Sequence, residues 1–85
     1  MYTYKTSGVC ARSIDFDLDN NGNIKHVSFD GGCSGNQQGI SRLVAGRPAS
    51  EVIDILKGTT CGKKPTSCPD QLARALEEAL DRVES

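Results

Sequence analysis

The chain has 85 residues, of which 36% are hydrophobic and none is Trp, so we expect one domain over residues 1–85 with a thin core. Ten basic and eleven acidic residues leave a formal charge of −1, which gives no overall attraction to nucleic acid or to an anionic membrane. The composition therefore predicts neither a DNA nor a membrane partner.

Residues 12–29 have the pattern of a β-hairpin. Ile14, Phe16 and Leu18 alternate with aspartates, as in a strand that has one buried and one solvated face. Asn21-Gly22 then supplies the residue types that a tight two-residue turn prefers. With that turn as the loop, residues whose numbers sum to 43 face each other. The predicted pairs include Phe16 with Val27, Ile14 with Phe29, and Asp17 with His26.

Residues 2–6 predict a third, antiparallel strand, and three helices are expected after the hairpin. The order of strands followed by helices predicts an α+β domain, in which a small antiparallel sheet is covered on one face by three helices. Apolar spacing, Pro48, Gly46 and Gly58 indicate the helix bounds. The predicted helices are a short one through Ile40, Leu43 and Val44, a second between Pro48 and Gly58, and a third from about Pro69 to Val83.

Cys68 lies where the last helix is predicted to begin. Pro69 suits the first helical position, which makes Cys68 the N-cap, and Ser67 is the alternative cap with Asp70 at its third position. A helix N-terminus carries free N–H groups and partial positive charge, so it favours the thiolate form that binds metal. Cys68 is therefore a candidate member of a site.

The amino-terminal residues lack the apolar stretch of a secretory signal, and no segment reaches the roughly 18 apolar residues of a membrane span. The sequence thus predicts a cytoplasmic protein. In a reducing cytoplasm, four cysteines are expected to be metal ligands or redox thiols rather than permanent disulfides.

The hairpin register also brings two cysteines together, because the numbers of Cys10 and Cys33 sum to 43 as well. Cys61 and Cys68 bracket a single loop. If the last helix begins above the open end of the hairpin, the four sulfurs converge. Four thiolates around one ion form a closed structural zinc site, and iron accepts the same ligands. The predicted metal ligands are Cys10, Cys33, Cys61 and Cys68.

Two other interpretations of the cysteines stay open. A metal-free thiol–disulfide protein would use them as redox groups. Small buried cysteines also pack simply as apolar residues.

Two loops suggest other ligands. The glycine-rich turn at residues 31–36 precedes a helix and offers backbone N–H groups to a phosphate or nucleotide, with Gly32, Gly35 and Asn36 as candidate residues, but it lacks the Lys and Ser/Thr of a P-loop. Residues 17–24 match the start of a calcium loop. Ser28 stands where such a loop needs Glu, so the hairpin is preferred.

The run from Thr66 to Ala73, TSCPDQLA, and the turn Gly32-Cys33-Ser34-Gly35-Asn36 resemble the family of small bacterial proteins named for the TSCPD motif. The resemblance spans nearly the whole chain. Related domains are found at the carboxyl end of adenosylcobalamin-dependent ribonucleotide reductases. The resemblance implies a cysteine-rich accessory module, metal-binding or redox-active, that acts on or beside such a reductase.

The chain is not expected to be a complete enzyme by itself. A reductase needs a large barrel, a radical generator and a substrate pocket, which do not fit in 85 residues. No serine–histidine–acid set or separated carboxylate pair can be assembled from the sequence. Partners are instead expected to be a ribonucleotide reductase or another protein, or a second copy that pairs along the exposed edge of the sheet.

Overall fold

A computed structural model describes residues 2–6, 11–31, 34–60 and 65–84. Its three strands form one antiparallel sheet in the order β1-β2-β3, and three helices follow. The predicted α+β class and the third strand are confirmed. The elements are β1 (Tyr2–Lys5), β2 (Ser13–Leu18), β3 (Ile24–Asp30), α1 (Ser34–Val44), α2 (Ala49–Leu56) and α3 (Cys68–Glu84).

Strands β2 and β3 pair in the predicted register over most of their length. The register changes between Asp17 and Leu18, so that Leu18 faces Ile24 rather than Lys25. The prediction is therefore confirmed for the body of the hairpin and wrong beside its turn. The confirmed pairs are Ile14 with Phe29, Phe16 with Val27, and Asp17 with His26.

The hairpin loop has three residues rather than the predicted two. The N–H of Asp19 donates to the carbonyl of Asn23 at 2.9 Å, and the N–H of Gly22 donates to the carbonyl of Asp19 at 3.1 Å. Gly22 has a φ of 82°, a left-handed conformation that favours glycine. This is the arrangement of a turn followed by a left-handed glycine, which adds one residue and displaces the local register.

The carboxylate of Asp19 explains why the longer loop forms. Its Oδ1 accepts hydrogen bonds from the N–H groups of Asn21 and Asn23, each at 2.9 Å. The Asn23 bond, with a smaller contribution from Asn21, lowers the pKa of Asp19 below its ordinary value. Residues 17–24, which resemble the start of a calcium loop, form this turn between β2 and β3, as the sequence predicts.

One face of the sheet packs against all three helices. Ile14 and Phe16 of β2 are fully buried, and the ring of Tyr2 stacks on Phe16 with centroids 5.2 Å apart. The opposite face carries polar residues such as Asp15 and His26. The helices contribute Val44, Ala49, Val52, Ile53, Leu72, Ala75, Leu76 and Ala79 to the same core.

The helix ends largely follow the predicted signals. Gly46 and Gly58 have φ values of 84° and 89° and follow α1 and α2, and Pro48 is the N-cap of α2. Helix α1 begins earlier than expected, at Ser34, so residues 35–36 belong to its first turn and not to a loop before it.

Helix α3 has nearly the predicted bounds, one residue longer at each end. Leu72, Leu76 and Ala79 lie buried on its apolar stripe, as the spacing predicts. Within the ranges described here, none of the helices has both the length and the apolar character that crossing a membrane requires.

Candidate functional site

Ser67, not Cys68, caps helix α3. The Ser67 hydroxyl accepts a hydrogen bond from the N–H of Asp70 at 3.2 Å, and the Ser67 carbonyl accepts one from Gln71 at 2.8 Å. Cys68 is therefore the first helical residue. The interpretation of Cys68 as N-cap was wrong, and the alternative cap is confirmed, because a hydroxyl oxygen is a much better acceptor than a thiol sulfur.

The same hydroxyl also connects α3 to the end of α2. Ser67 Oγ donates to the carbonyl of Thr59 at 2.6 Å, and Ser67 is buried. One side chain thus both accepts from the start of α3 and donates to the segment that follows α2. The chain segments on either side of residues 61–64 are joined through this bond.

Asp70 is the centre of the contacts between these segments and is only 1% exposed. Its Oδ1 accepts from the N–H of Gly58 at 2.7 Å. Its Oδ2 accepts from the hydroxyl of Thr66 at 2.5 Å and from Nε of Arg74 at 3.0 Å. A buried carboxylate with three donors around it is a well-compensated charge.

Burial and hydrogen bonding act in opposite directions on the Asp70 carboxyl. Burial raises its pKa, but the hydrogen bonds from Thr66, Gly58 and Arg74, together with the charge of Arg74, outweigh burial and hold the pKa below its ordinary value. Asp70 is therefore ionised at neutral pH. A negative charge in the first turn of α3 is also favoured by the helix dipole.

One further side chain, that of Gln71, completes a buried network. Gln71 Nε2 donates to the Thr66 hydroxyl at 3.0 Å, and both residues are buried. We call Thr66, Ser67, Asp70 and Gln71 the Asp70 network. Across the described residues, no buried side-chain nitrogen or oxygen is left without a hydrogen-bond partner. The network is therefore fully satisfied, a condition in which buried polar groups rigidify a structure.

The thiol of Cys68 lies outside the Asp70 network. Cys68 is a free cysteine of intermediate exposure, and its Sγ is 3.8 Å from Nε2 of Gln37, which donates to it. Gln37 belongs to α1 and is only 6% exposed. The start of α3 therefore contacts the amino-terminal part of α1 through the Cys68 side chain.

Two backbone hydrogen bonds extend the sheet beyond the strand pairs, one between β1 and β2 and one at the open end of the hairpin. The N–H of Arg12 donates to the carbonyl of Asp30 at 2.7 Å, and the N–H of Thr6 donates to the carbonyl of Arg12 at 3.1 Å. The chain segments that lead to Cys10 and to Cys33 are thus adjacent where the described residues end.

Of the predicted site residues, only Cys68 has a described side chain. Cys10, Gly32, Cys33 and Cys61 lie outside the described residues, so the four-cysteine cluster stays a prediction. Gly35 and Asn36 lie in the first turn of α1, and their predicted phosphate-binding role also stays a prediction. Among the residues that are described, no group of three or more His, Cys, Asp or Glu side chains is placed to hold a metal ion.

Sequence reasoning missed the roles of Gln37 and of the Asp70 carboxylate. The spacing of Ser67 and Asp70 is typical of a helix cap, and it is the basis on which Ser67 is named above as the alternative cap. The partners of Asp70 at Gly58 and Thr66 come from outside the helix, and no local pattern marks them. Gln37 has no sequence signal, because an amide in a helix is ordinarily exposed.

Comparison with curated proteins gives no match, and comparison with solved structures gives none either. The sequence model of the TSCPD domain, in contrast, matches residues 2–80, which includes every strand and most of α3. The run that gives the domain its name is the segment whose Thr, Ser and Asp side chains build the buried network described above. The chain belongs to the TSCPD domain family.

Proposed function

We propose that this TSCPD domain is a metal-binding module, in which Cys10, Cys33, Cys61 and Cys68 hold one zinc or iron ion. The observation that carries the proposal is the position of Cys68. Cys68 is a partly exposed free cysteine at the first residue of α3, and its motif neighbours Ser67 and Asp70 fix that helix start. A rigidly placed free thiol is what a structural metal site requires of its ligands.

The contact between Gln37 and Cys68 supports the participation of Cys33. Helix α1 begins at Ser34, three residues before Gln37, which corresponds to a rise of about 4.5 Å along the helix. Cys33 directly precedes Ser34 in the sequence. In the sequence, Cys33 is therefore four residues, about the length of one helical turn, before the residue whose side chain contacts Cys68.

Two other hydrogen bonds support the remaining pair of ligands. Cys61 follows Thr59 by two residues, and the Thr59 carbonyl accepts from Ser67, the neighbour of Cys68. Cys10 precedes Arg12 by two residues, and the Arg12 N–H donates to Asp30 near Cys33. In each case a described contact joins the sequence neighbours of two of the four cysteines.

Electrostatics favour this placement as well. Four thiolates around a divalent ion leave a net negative charge, which is stabilised by the positive ends of helices. Helix α3 begins at Cys68, and α1 begins directly after Cys33. A structural ion contributes its binding free energy to folding, which suits a chain with a core this small.

The proposal is tested on full-length protein purified without added metal. Elemental analysis should give about one zinc or iron per chain, and all four thiols should be protected from a thiol reagent until the protein is denatured with chelator. Serine variants of each cysteine in turn should each lose the ion. Protein that contains no metal, and in which Cys61 and Cys68 cycle between dithiol and disulfide, would overturn the metal site and favour the metal-free redox interpretation.

The partner proposed from the family resemblance is a ribonucleotide reductase. Metal-loaded protein immobilised on a resin should retain such a reductase, while the metal-free Cys68→Ser variant, assayed below its own melting temperature, should not. Equal retention by both proteins would show that binding of the reductase does not depend on the metal site. If neither protein retains the reductase, the proposed partner is wrong.

A further inference from the structure

Gln37 lies on the buried face of α1. Ile40 and Val44 follow it by three and seven residues, which is the spacing of one apolar helix face. Val44 belongs to the hydrophobic core and Ile40 packs against it. Gln37 is as buried as these residues, whereas its neighbour Gln38 is exposed. Helix packing alone would therefore favour an apolar side chain at residue 37.

The buried amide of Gln37 is directed at a sulfur. Its Nε2 donates to Cys68 Sγ at 3.8 Å, and this hydrogen bond offsets the cost of burying the amide. A neutral thiol is a weak acceptor, so an amide gains little by donating to one. A thiolate is charged, and hydrogen bonds to ionised acceptors are roughly twice as strong. The contact therefore suits an ionised sulfur, which is the form that a metal-bound cysteine takes.

We propose that Gln37 is a positioning residue of the metal site, which holds the Cys68 sulfur in place and stabilises its negative charge through the Nε2–H···Sγ hydrogen bond. This inference rests on the metal site proposed above and adds to it a residue that is not a ligand. Outer hydrogen-bond partners orient metal ligands, and their loss commonly lowers metal affinity by about 10- to 100-fold. Because Gln37 belongs to α1 and Cys68 to α3, the same bond also links the two helices.

Two other glutamines provide matched controls. Gln38 is the next residue of α1 and is exposed, so Gln38→Leu makes the same chemical change without removing a donor to the sulfur. Gln71 is buried as Gln37 is, but its Nε2 donates to the Thr66 hydroxyl. Gln71→Leu therefore removes a similarly buried amide and leaves the contact with Cys68 intact. The second control separates the loss of the hydrogen bond to sulfur from a general loss of stability.

The test uses the full-length chain, stripped of metal with a chelator and then supplied with Co²⁺, whose charge-transfer absorption depends on the thiolates bound to it. Without the hydrogen bond, the sulfur electrons lie higher in energy, so Gln37→Leu should move the charge-transfer band to longer wavelength. The same variant should raise the Co²⁺ Kd, measured by competition with a chelator, by about 10- to 100-fold. Gln37→Met keeps the unbranched shape of the side chain, also lacks the donor and should give the same two changes.

The controls and the position of the band decide between a role at the sulfur and a purely structural one. In Gln38→Leu, the band and the Kd should both equal those of the parent. In Gln71→Leu, the band should stay at the parent's wavelength, whatever the loss of stability does to the Kd. A band at the parent's wavelength in Gln37→Leu or Gln37→Met overturns the proposal and leaves the metal site standing. A parent chain that takes up no Co²⁺ overturns the metal site itself, and this proposal with it.

Discussion

Ser67 and Asp70 on one side and Cys68 on the other lie within a single turn of α3, yet their surroundings differ completely. Ser67 and Asp70 are buried, and the side chain of each forms a hydrogen bond with the segment that follows α2. Cys68 is partly exposed and touches only an amide of α1 among the described side-chain hydrogen bonds. The difference teaches that the motif has two parts, because its oxygen-bearing residues fix a helix start and its cysteine stays outside their hydrogen-bond network.

The largest expected effect is on stability and comes from removing the Asp70 carboxylate. Asp70→Ala leaves the buried Thr66 hydroxyl without its acceptor and also removes the hydrogen bonds from the Gly58 N–H and from Arg74, so the free energy of unfolding should fall by about 3 kcal/mol. Urea unfolding at neutral pH measures the change. Glu51→Ala, which removes an exposed acid from a surface ion pair, is the matched control and should cost less than about 0.5 kcal/mol. Similar losses in both variants would refute the central position of Asp70.

A smaller loss is expected for Ser67→Ala. The substitution removes the helix cap and the bond to the Thr59 carbonyl, which together are worth about 1.5 kcal/mol. Asp70 keeps its three donors, so the variant should still fold cooperatively. A melting temperature equal to that of the parent would show that another group caps α3.

The smallest of these effects appears on acidification. Because the folded-state pKa of Asp70 is lowered, its ionised form stabilises the fold fully above the ordinary Asp pKa of about 3.9, and this contribution is lost as the pH falls through the folded-state value. The free energy of unfolding should therefore decrease below about pH 4 more steeply in the parent than in Asp70→Asn. Parallel pH profiles for the two proteins would contradict the lowered pKa.

The features that sequence predicted are those set by near neighbours in the chain. Alternation fixed the faces of β2, and the turn residues gave the register of the pairs from Ile14 to Asp17. The loop length was wrong because Asn21-Gly22 suits both a two-residue and a three-residue loop, and the choice depends on Asp19 capturing two N–H groups.

The candidate site was less predictable because its contacts come from distant parts of the chain. The sequence allowed either Ser67 or Cys68 to cap α3. The structure has Ser67 as the cap, because its hydroxyl is the better hydrogen-bond acceptor. Asp70 reaches Gly58, twelve residues away, and Gln37 reaches Cys68, 31 residues away. Such pairings depend on how the helices pack, which no local pattern of residues specifies.

We expect Cys68 to be a metal ligand and its motif neighbours Ser67 and Asp70 to hold it in place. Elemental analysis of the parent, Cys68→Ser and Ser67→Ala, each purified without added metal, tests it most directly. We expect about one zinc or iron per chain in the parent and in Ser67→Ala, and less than about one tenth of that in Cys68→Ser, since a closed four-ligand site fails when one thiolate is removed. One ion per chain in Cys68→Ser, or none in the parent, would contradict it.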